Sequence, residues 1–182
     1  MREIETKILN VDIVGMYPKL QSYVEERSGR KDQLLCEFIG VIEASYYVQG
    51  DVIARVRKKE SGTDGKVTAE LTIKNPTGIF HKGLKEMFEE NLEVENFEKA
   101  IRILGLMGYK YVRTICKHRT SYTYENIRFE FDVIAGCPPW LEIESPLESD
   151  LHDVLKYLGY TLEDTCSKSQ VELYDEYKGE KG

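Results

Sequence analysis

Charged and apolar residues alternate at several places along this chain, and the pattern first appears at residues 3–7. Side chains two residues apart in a strand point to the same side of a sheet. The spacing therefore predicts a strand in which Glu3, Glu5 and Lys7 share one face and apolar residues occupy the other. Taken alone, a charged strand face of this kind is more typically exposed to water than buried.

Further strands are predicted where this alternation returns or where β-branched and aromatic residues are concentrated. Gly50-Asp51 and the segment SGTDGK at 61–66 contain residues that favour the turns between such strands. The predicted strand regions are 34–48 (one or two strands), 52–59, 69–74, 109–124 (a strand pair), 127–134 and 140–144.

Helices are predicted in three segments whose apolar residues have the spacing of an amphipathic helix. Gly29 and Gly108 are expected to end the first two. Residues 78–95 are compatible with a helix or a strand, and we favour a loop that leads into a strand. The strand before this region is predicted to end at Asn75-Pro76, because proline cannot donate a hydrogen bond within a sheet. The three helical segments are residues 17–26, 97–106 and 147–158.

The composition is that of an ordinary globular domain. With 182 residues, 41% hydrophobic and 31% charged, the chain can form one domain with a sizeable core and is slightly short for two. We expect this domain to span residues 1–176 and a disordered tail to occupy residues 177–182. No apolar run approaches the roughly 20 residues that span a bilayer, and the first residues form a charged strand. We therefore expect a cytoplasmic protein with no membrane partner.

Charge and the scattered cysteines and histidines narrow the classes of function. The net charge of -7 argues against binding of a nucleic-acid duplex, which favours a basic surface. The 4 Cys and 3 His lack the paired spacing of a zinc site, a redox motif or a Cys/His nucleophile. Basic residues that cluster on strands are therefore the more informative feature.

An inward orientation of all the charged faces would produce a distinctive interior. A closed antiparallel barrel would then enclose cations and carboxylates, and each unpaired buried ion costs several kcal/mol. Clustered arginines suit a chain of phosphates, and a hard divalent cation would offset the repulsion between phosphate and carboxylate oxygens. The cations are Lys7, Arg55, Arg57, Lys74, Lys117 and Arg119, and the carboxylates are Glu3, Glu5, Glu142 and Glu144.

Six short motifs, in this order, resemble those of the CYTH superfamily, also called triphosphate tunnel metalloenzymes. One such motif is weak support, but six in the same order are specific, and they extend over nearly the whole chain. The motifs are Glu-x-Glu-x-Lys at 3–7, Arg-x-Arg at 55–57, Leu-Thr-x-Lys at 71–74, Lys-x-Arg at 117–119, Asp132, and Glu-x-Glu at 142–144.

The resemblance implies an α+β fold, a closed eight-stranded antiparallel β-barrel or tunnel with flanking helices. It also implies that the tunnel binds a triphosphate-containing small molecule together with Mg²⁺ or Mn²⁺. By analogy the basic residues named above would bind the phosphates, and Lys168 would lie at the tunnel mouth. The implied metal ligands are Glu3, Glu5, Glu142 and Glu144 with Asp132 as an additional candidate, and the implied catalytic residues are Glu5 and Glu3.

The chain departs from the superfamily pattern after Lys74. Many members carry Arg-x-Glu on the next strand, whereas Met87 and Phe88 occupy that region here. Lys85 or Glu89 could substitute only in a shifted register, so the roles of residues 78–95 stay open.

Three functions are compatible with this pattern. We favour metal-dependent hydrolysis of inorganic triphosphate, a nucleoside triphosphate or thiamine triphosphate. The alternatives are an adenylate cyclase that releases pyrophosphate from ATP and a catalytically silent module that binds polyphosphate or nucleotides. The four metal-side glutamates argue against the silent module, because cations alone would suffice for binding. A monomer and a homodimer both stay open.

Overall fold

Eight antiparallel strands close into a barrel in the computed structural model, which describes residues 2–31, 33–81 and 83–179. The predicted fold class, a closed eight-stranded antiparallel barrel with flanking helices, is confirmed. The strands are β1 (Arg2–Leu9), β2 (Leu35–Gln49), β3 (Val52–Ser61), β4 (Val67–His81), β5 (Leu84–Val94), β6 (Lys110–Tyr124), β7 (Ile127–Val133) and β8 (Trp140–Ser145).

The order of the strands around the barrel is β1-β5-β4-β3-β2-β6-β7-β8. Four helices flank the barrel in the described part of the chain, and a short 3-10 helix covers Leu162–Asp164. No helix within the described residues is both long and apolar enough to cross a membrane. The helices are α1 (Ile13–Ser28), α2 (Phe97–Leu106), α3 (Glu148–Leu158) and α4 (Gln170–Lys178).

The main core lies outside the barrel, between its wall and helices α1 and α3. Ile4 and Ile8 of β1 are buried there together with Leu20 of α1 and Leu151 of α3. Because the helices cover this apolar face of β1, its charged face points into the barrel. The alternation predicted from the sequence thus has its polar side enclosed by the barrel and not on the outer surface.

Helix α2 covers the side of the barrel opposite α1 and α3. Ala100 and Leu104 of α2 pack against Ala54 and Val56 of β3 in a smaller core. The helix begins after Asn96, whose side-chain oxygen accepts a hydrogen bond from the backbone of Lys99 at 2.8 Å. Its bounds, Phe97–Leu106, are those predicted from the apolar spacing.

Helix α4 packs against apolar side chains of the barrel. Leu173 of α4 is buried with Trp140 of β8 and Ile115 of β6. The segment that leads into α4 is fixed to β1, because the backbones of Lys7 and Cys166 exchange two hydrogen bonds of 3.1 and 2.8 Å. This bridge attaches α4 to the edge of β1 at a point beyond the β1–β5 pairing, which covers residues 2–5 of β1.

The C-terminal helix α4 is not among the three helices predicted from the sequence. Tyr177 and Lys178, which were assigned to a disordered tail, form the last turn of α4. The helix is fixed at its start by a capping box between Ser169 and Glu172. The remainder of the predicted tail, residues 180–182, lies outside the described residues.

Three strand predictions were wrong in their bounds. β4 continues past Asn75-Pro76 to His81, with an irregular register between Pro76 and Phe80 that accommodates the missing proline N–H. The strand pair predicted at 109–124 is one long strand, β6, because it pairs with β2 along almost its full length. Residues 78–95 are not mainly a loop but contribute the end of β4 and all of β5.

The first helix also differs from its prediction. α1 begins at Ile13, before the predicted start at Tyr17, because Met16 already packs in the core. The helix ends at Gly29, as predicted. Gly29 adopts the left-handed conformation with φ of 66°, and its N–H donates a hydrogen bond to the carbonyl of Glu25.

We predict that Leu20→Ala lowers the free energy of unfolding by about 3 kcal/mol, because it leaves a cavity in the main core. Urea denaturation measures this change. The control is Val14→Ala on the same helix, where the side chain is 84% exposed and the expected change is within about 0.5 kcal/mol. Equal effects of the two substitutions would contradict the packing described for α1.

Candidate active site

A cavity of about 540 Å³ runs inside the barrel and is lined by all eight strands and by residues 167–172. It brings together most of the site residues predicted from the sequence. Lys117 and Asp132 are buried and do not line it. The predicted residues that line the cavity are Glu3, Glu5, Lys7, Arg55, Arg57, Lys74, Arg119, Glu142, Glu144 and Lys168.

Three carboxylates converge on one side of the cavity. Glu5, Glu142 and Glu144 each offer an oxygen atom, and these atoms lie within 4.8 Å of one another. The β1–β8 register explains this, since Glu5 lies directly opposite Glu144. Like charges in that position repel unless a cation neutralises them. Several carboxylate oxygens around one point are the ligands that Mg²⁺ and Mn²⁺ prefer, so this acidic group fits such an ion.

Glu3 lies beside the acidic group and shares a hydrogen bond with Glu89 of β5. Burial and the neighbouring carboxylates Glu144 and Glu89 raise the pKa of Glu3 to about 10. Burial opposes ionisation of Glu89 too, but the cations Lys74 and Arg55 lower its pKa to about 2. Glu89 is therefore the ionised partner, and Glu3 carries the proton between them.

Lys7 is buried within the acidic group. Its ammonium lies 2.8 Å from Glu5 and 2.7 Å from Glu142. Burial lowers the pKa of Lys7, but the attraction of Glu142 and Glu5 is stronger and raises this pKa above its ordinary value. Lys7 therefore cross-links two carboxylates of the acidic group, whereas the sequence had placed it only with the phosphate-binding cations.

Three other carboxylates each bridge a pair of cations, and none of them belongs to the acidic group. A bridging carboxylate offsets part of the charge of two cations and also fixes their side chains in place. Glu70 of β4 and Glu89 of β5 were not assigned a role from the sequence. The bridges are Glu70 to Arg57 and Lys59, Glu89 to Arg55 and Lys74, and Asp132 to Lys117 and Arg119.

Asp132 occupies the most buried of these bridges. It accepts hydrogen bonds from Lys117 Nζ at 2.7 Å and Arg119 Nε at 2.6 Å. Burial disfavours its charge, but Arg119 and Lys117 lower its pKa below the ordinary value, so it is ionised. The structure therefore places Asp132 apart from Glu5, Glu142 and Glu144, and its contacts are with cations.

Lys117 and Arg119 differ in how firmly they hold a proton. Burial, reinforced by the charge of Arg119, lowers the pKa of Lys117 to about 7. Burial also opposes the charge of Arg119, but Asp132 raises its pKa above the ordinary value. Arg119 further contacts Glu142 at 3.0 Å and so connects the Asp132 bridge with the acidic group.

Strand β5 contributes residues that the sequence left open. Its register with β1 places Lys85 opposite Glu5, while Phe88 points outward and is 53% exposed. Lys85 and Glu89 therefore line the cavity. The buried ammonium of Lys85 makes no ion pair with any residue that the structure describes, and burial lowers its pKa. A register fixed by β1 cannot be read from the sequence of β5 alone.

Arg55 also has unused hydrogen-bonding capacity. Its Nη2 donates to Thr72 at 3.2 Å and to Glu89 at 3.4 Å. Its Nε is buried and finds no acceptor within the described ranges. Lys168, in contrast, is an exposed residue at the rim of the cavity and pairs with Glu176 at 2.6 Å.

Comparison with known proteins identifies relatives of this chain. A sequence profile of the CYTH domain matches residues 46–170. A search of curated proteins gave no match. Among solved structures, the PH1012 protein from Pyrococcus horikoshii OT3 is 24% identical, with a TM-score of 0.71 over 94% of this chain and 98% of that one.

Two further solved structures have the same fold. The PH1819 protein from Pyrococcus horikoshii OT3 is 23% identical, with a TM-score of 0.72 over 96% of this chain and 98% of that one. An adenylate cyclase candidate from Vibrio parahaemolyticus is 14% identical, with a TM-score of 0.69 over 95% of this chain and 97% of that one. At these identities the likeness extends to the fold and not to the reaction.

We predict that Asp132→Asn lowers the free energy of unfolding by about 3 kcal/mol at pH 7, because it leaves Lys117 and Arg119 buried without a full counter-charge. Urea denaturation measures this change in the free energy of unfolding. The control is Asp153→Asn, which removes an exposed ion pair with Arg27 and should cost at most about 1 kcal/mol.

The same pair of proteins gives a pH test. The pKa of Asp132 is lowered in the folded state, so its contribution is present above the unfolded pKa of about 4 and is lost as the pH falls through the folded value. The stability difference between wild type and Asp132→Asn should therefore shrink in acid. A difference that stays constant from pH 7 down to the acid transition would contradict the assignment of an ionised Asp132.

Proposed function

The chain belongs to the CYTH domain family, since the profile match at 46–170 covers more than half of its 182 residues, and from this premise we propose that it is a divalent-metal-dependent triphosphate hydrolase. One observation carries the proposal. The acidic group of Glu5, Glu142 and Glu144 faces a set of buried cations inside a single cavity. Carboxylates for a metal and cations for phosphates are the two halves of a site for a metal–triphosphate complex.

The cations of β3, β4 and β5 would bind the phosphate chain. Arg57 uses Nε and Nη2 toward the same oxygen of Glu70, at 2.8 and 2.6 Å, which leaves Nη1 for a phosphate oxygen. The buried Nε of Arg55 and the ammonium of Lys85 supply two more donors. Charged donors that are already held in place lose little entropy when a phosphate binds.

Lys74, Lys117, Arg119 and Lys168 complete the proposed phosphate set. Lys74 and Arg119 line the cavity, and Lys168 lies at its rim. Lys117 is buried without lining the cavity, so its charge would act through Asp132 and Arg119 and not by direct contact. Lys7 acts mainly by holding Glu5 and Glu142 in position.

Glu5, Glu142 and Glu144 would hold the metal, and Mg²⁺ or Mn²⁺ suits their oxygen atoms. The ion would supply charge neutralisation on the phosphate that is transferred. Glu3 and Glu5 line the cavity and would orient a water molecule against the terminal phosphorus. The water oxygen bonds that phosphorus as the bond to the bridging oxygen breaks, which releases orthophosphate and leaves a diphosphate.

The products distinguish this proposal from the alternatives. The protein is incubated with inorganic triphosphate, ATP, GTP or thiamine triphosphate, in each case with Mg²⁺ or Mn²⁺. Orthophosphate supports hydrolysis, whereas pyrophosphate together with a cyclic nucleotide would identify a cyclase. Triphosphate binding without turnover of any of the four compounds would overturn the enzymatic proposal and identify a binding module.

We predict that Glu5→Gln lowers kcat by about 100-fold or more, because it removes one of three metal-side carboxylates. Release of orthophosphate at saturating substrate and metal measures kcat. The control is Glu43→Gln, a partly buried residue that is paired with Lys58 and does not line the cavity, which should leave kcat unchanged. Unchanged turnover of Glu5→Gln would refute the metal assignment.

We predict that Arg57→Ala weakens triphosphate binding about 10- to 100-fold, because a buried charged donor to phosphate is lost. Isothermal titration calorimetry with inorganic triphosphate and Mg²⁺ measures the Kd. Arg102→Ala, an exposed arginine on α2, is the control and should bind like wild type. Equal Kd values for the two variants would remove Arg57 from the phosphate set.

A further inference from the structure

Helix α2 ends in an exposed surface that combines apolar and basic side chains. Lys99, Arg102, Ile103 and Leu106 are spaced three or four residues apart, so they share the side of the helix that faces away from the barrel. Leu106 is 89% exposed, and Met107, directly after the helix, is 59% exposed. We call these five residues the basic patch.

Packing within the molecule does not account for the basic patch. Ile103, Leu106 and Met107 belong to none of the three apolar clusters formed by the described residues. Lys99 and Arg102 make no ion pair with any residue in the described part of the chain. Single exposed apolar residues are common on protein surfaces, but three together beside two cations are typical of a surface that binds a partner.

A second exposed surface lies at the other end of α2 and is acidic. Phe88, Glu90 and Leu92 lie two residues apart on the outer face of β5, and Phe88 and Leu92 are 53% and 62% exposed. Glu95 and Glu98 follow at the start of α2 and are exposed as well. Neither Phe88 nor Leu92 belongs to an apolar cluster of the described residues. We call these five residues the acidic patch.

The two patches match each other in chemistry, since each combines exposed apolar side chains with exposed charges. The chain has a net charge of -7, so the remainder of its surface would repel an anionic partner such as a membrane or a nucleic acid. The acidic patch of a second copy offers the basic patch both opposite charge and apolar area. Such complementarity favours one orientation of two partners and speeds their association.

Helix α2 separates the two patches by about 15 Å, because it has 10 residues and the rise per residue is about 1.5 Å. A twofold axis that crosses the middle of α2 would therefore place the basic patch of each copy on the acidic patch of the other. A stable interface buries about 800 Å² per partner, which is a surface about 30 Å across. Both patches and the helix between them fit within an interface of this size.

We propose that the protein forms a symmetric homodimer in which the basic patch of each copy binds the acidic patch of the other. The inference goes beyond the proposed function and does not depend on it, because none of the ten patch residues lines the cavity. The symmetry creates the same contact twice in each dimer. A substitution in one patch therefore changes both contacts.

The test reverses one charge in each patch. Arg102→Glu and Glu90→Lys should each raise the Kd of the dimer about tenfold or more, because each places like charges together at both contacts. Sedimentation velocity over a range of protein concentrations measures this Kd. The control is Lys19→Glu on α1, which reverses an exposed cation outside both patches and should leave the Kd unchanged.

A mixture of the two variants tests the pairing of the patches directly. Arg102→Glu and Glu90→Lys in equal amounts should dimerise more tightly than either variant alone. In the mixed dimer one contact has the wild-type charges, and the other has both charges reversed, so opposite charges meet at each. A variant that had merely lost its fold would not recover in the mixture.

Three results would overturn the proposal. A wild-type protein that stays monomeric at the highest concentration would do so, and vesicles of phosphatidylserine would then test a membrane surface as the occupant of the basic patch. A dimer whose Kd neither charge reversal changes would show that the copies meet elsewhere. A mixture that dimerises no more tightly than the separate variants would show that the two patches do not contact each other.

Discussion

The structure depends on neutralising the charges that the barrel encloses. Every strand except β2 contributes charged side chains to a cavity where an unpaired ion costs several kcal/mol. Glu70, Glu89 and Asp132 meet this constraint by bridging two cations each. Such bridges hold side chains in fixed positions. The contacts that lower the cost of enclosing charges therefore also fix the side chains that a ligand would meet.

The charges inside the barrel are not evenly neutralised, and the two unbalanced regions indicate what kind of ligand would bind. The group of Glu5, Glu142 and Glu144 has an excess of negative charge that Lys7 and Arg119 only partly offset. On β3 and β5 the buried Nε of Arg55 and the ammonium of Lys85 retain donor capacity among the described residues. A ligand that brings both a cation and phosphate oxygens would complete both sides at once.

Much of this arrangement could be predicted from the sequence, because strand alternation has a fixed period of two. The inward faces of β1, β3 and β8 follow from that period, and the closure into a barrel came from the resemblance to a known superfamily. What could not be predicted depends on pairing between strands. The β1–β5 register decides that Lys85 faces the cavity, and a bulge in β6 decides that Val112 does. The partners of Asp132 likewise lie on a neighbouring strand and have no local sequence pattern.

The pairing of β1 with β8 constrains the order in which this protein can assemble. Glu5 and its cross-strand neighbour Glu144 are far apart in the sequence, and so are Lys7 and its bridge partner Cys166. Contacts so distant in sequence close large loops and form slowly. Strand β1 can therefore complete its pairing only after β8 has been synthesised. Closure of the barrel at the β1–β8 seam and completion of the acidic group are then the same step.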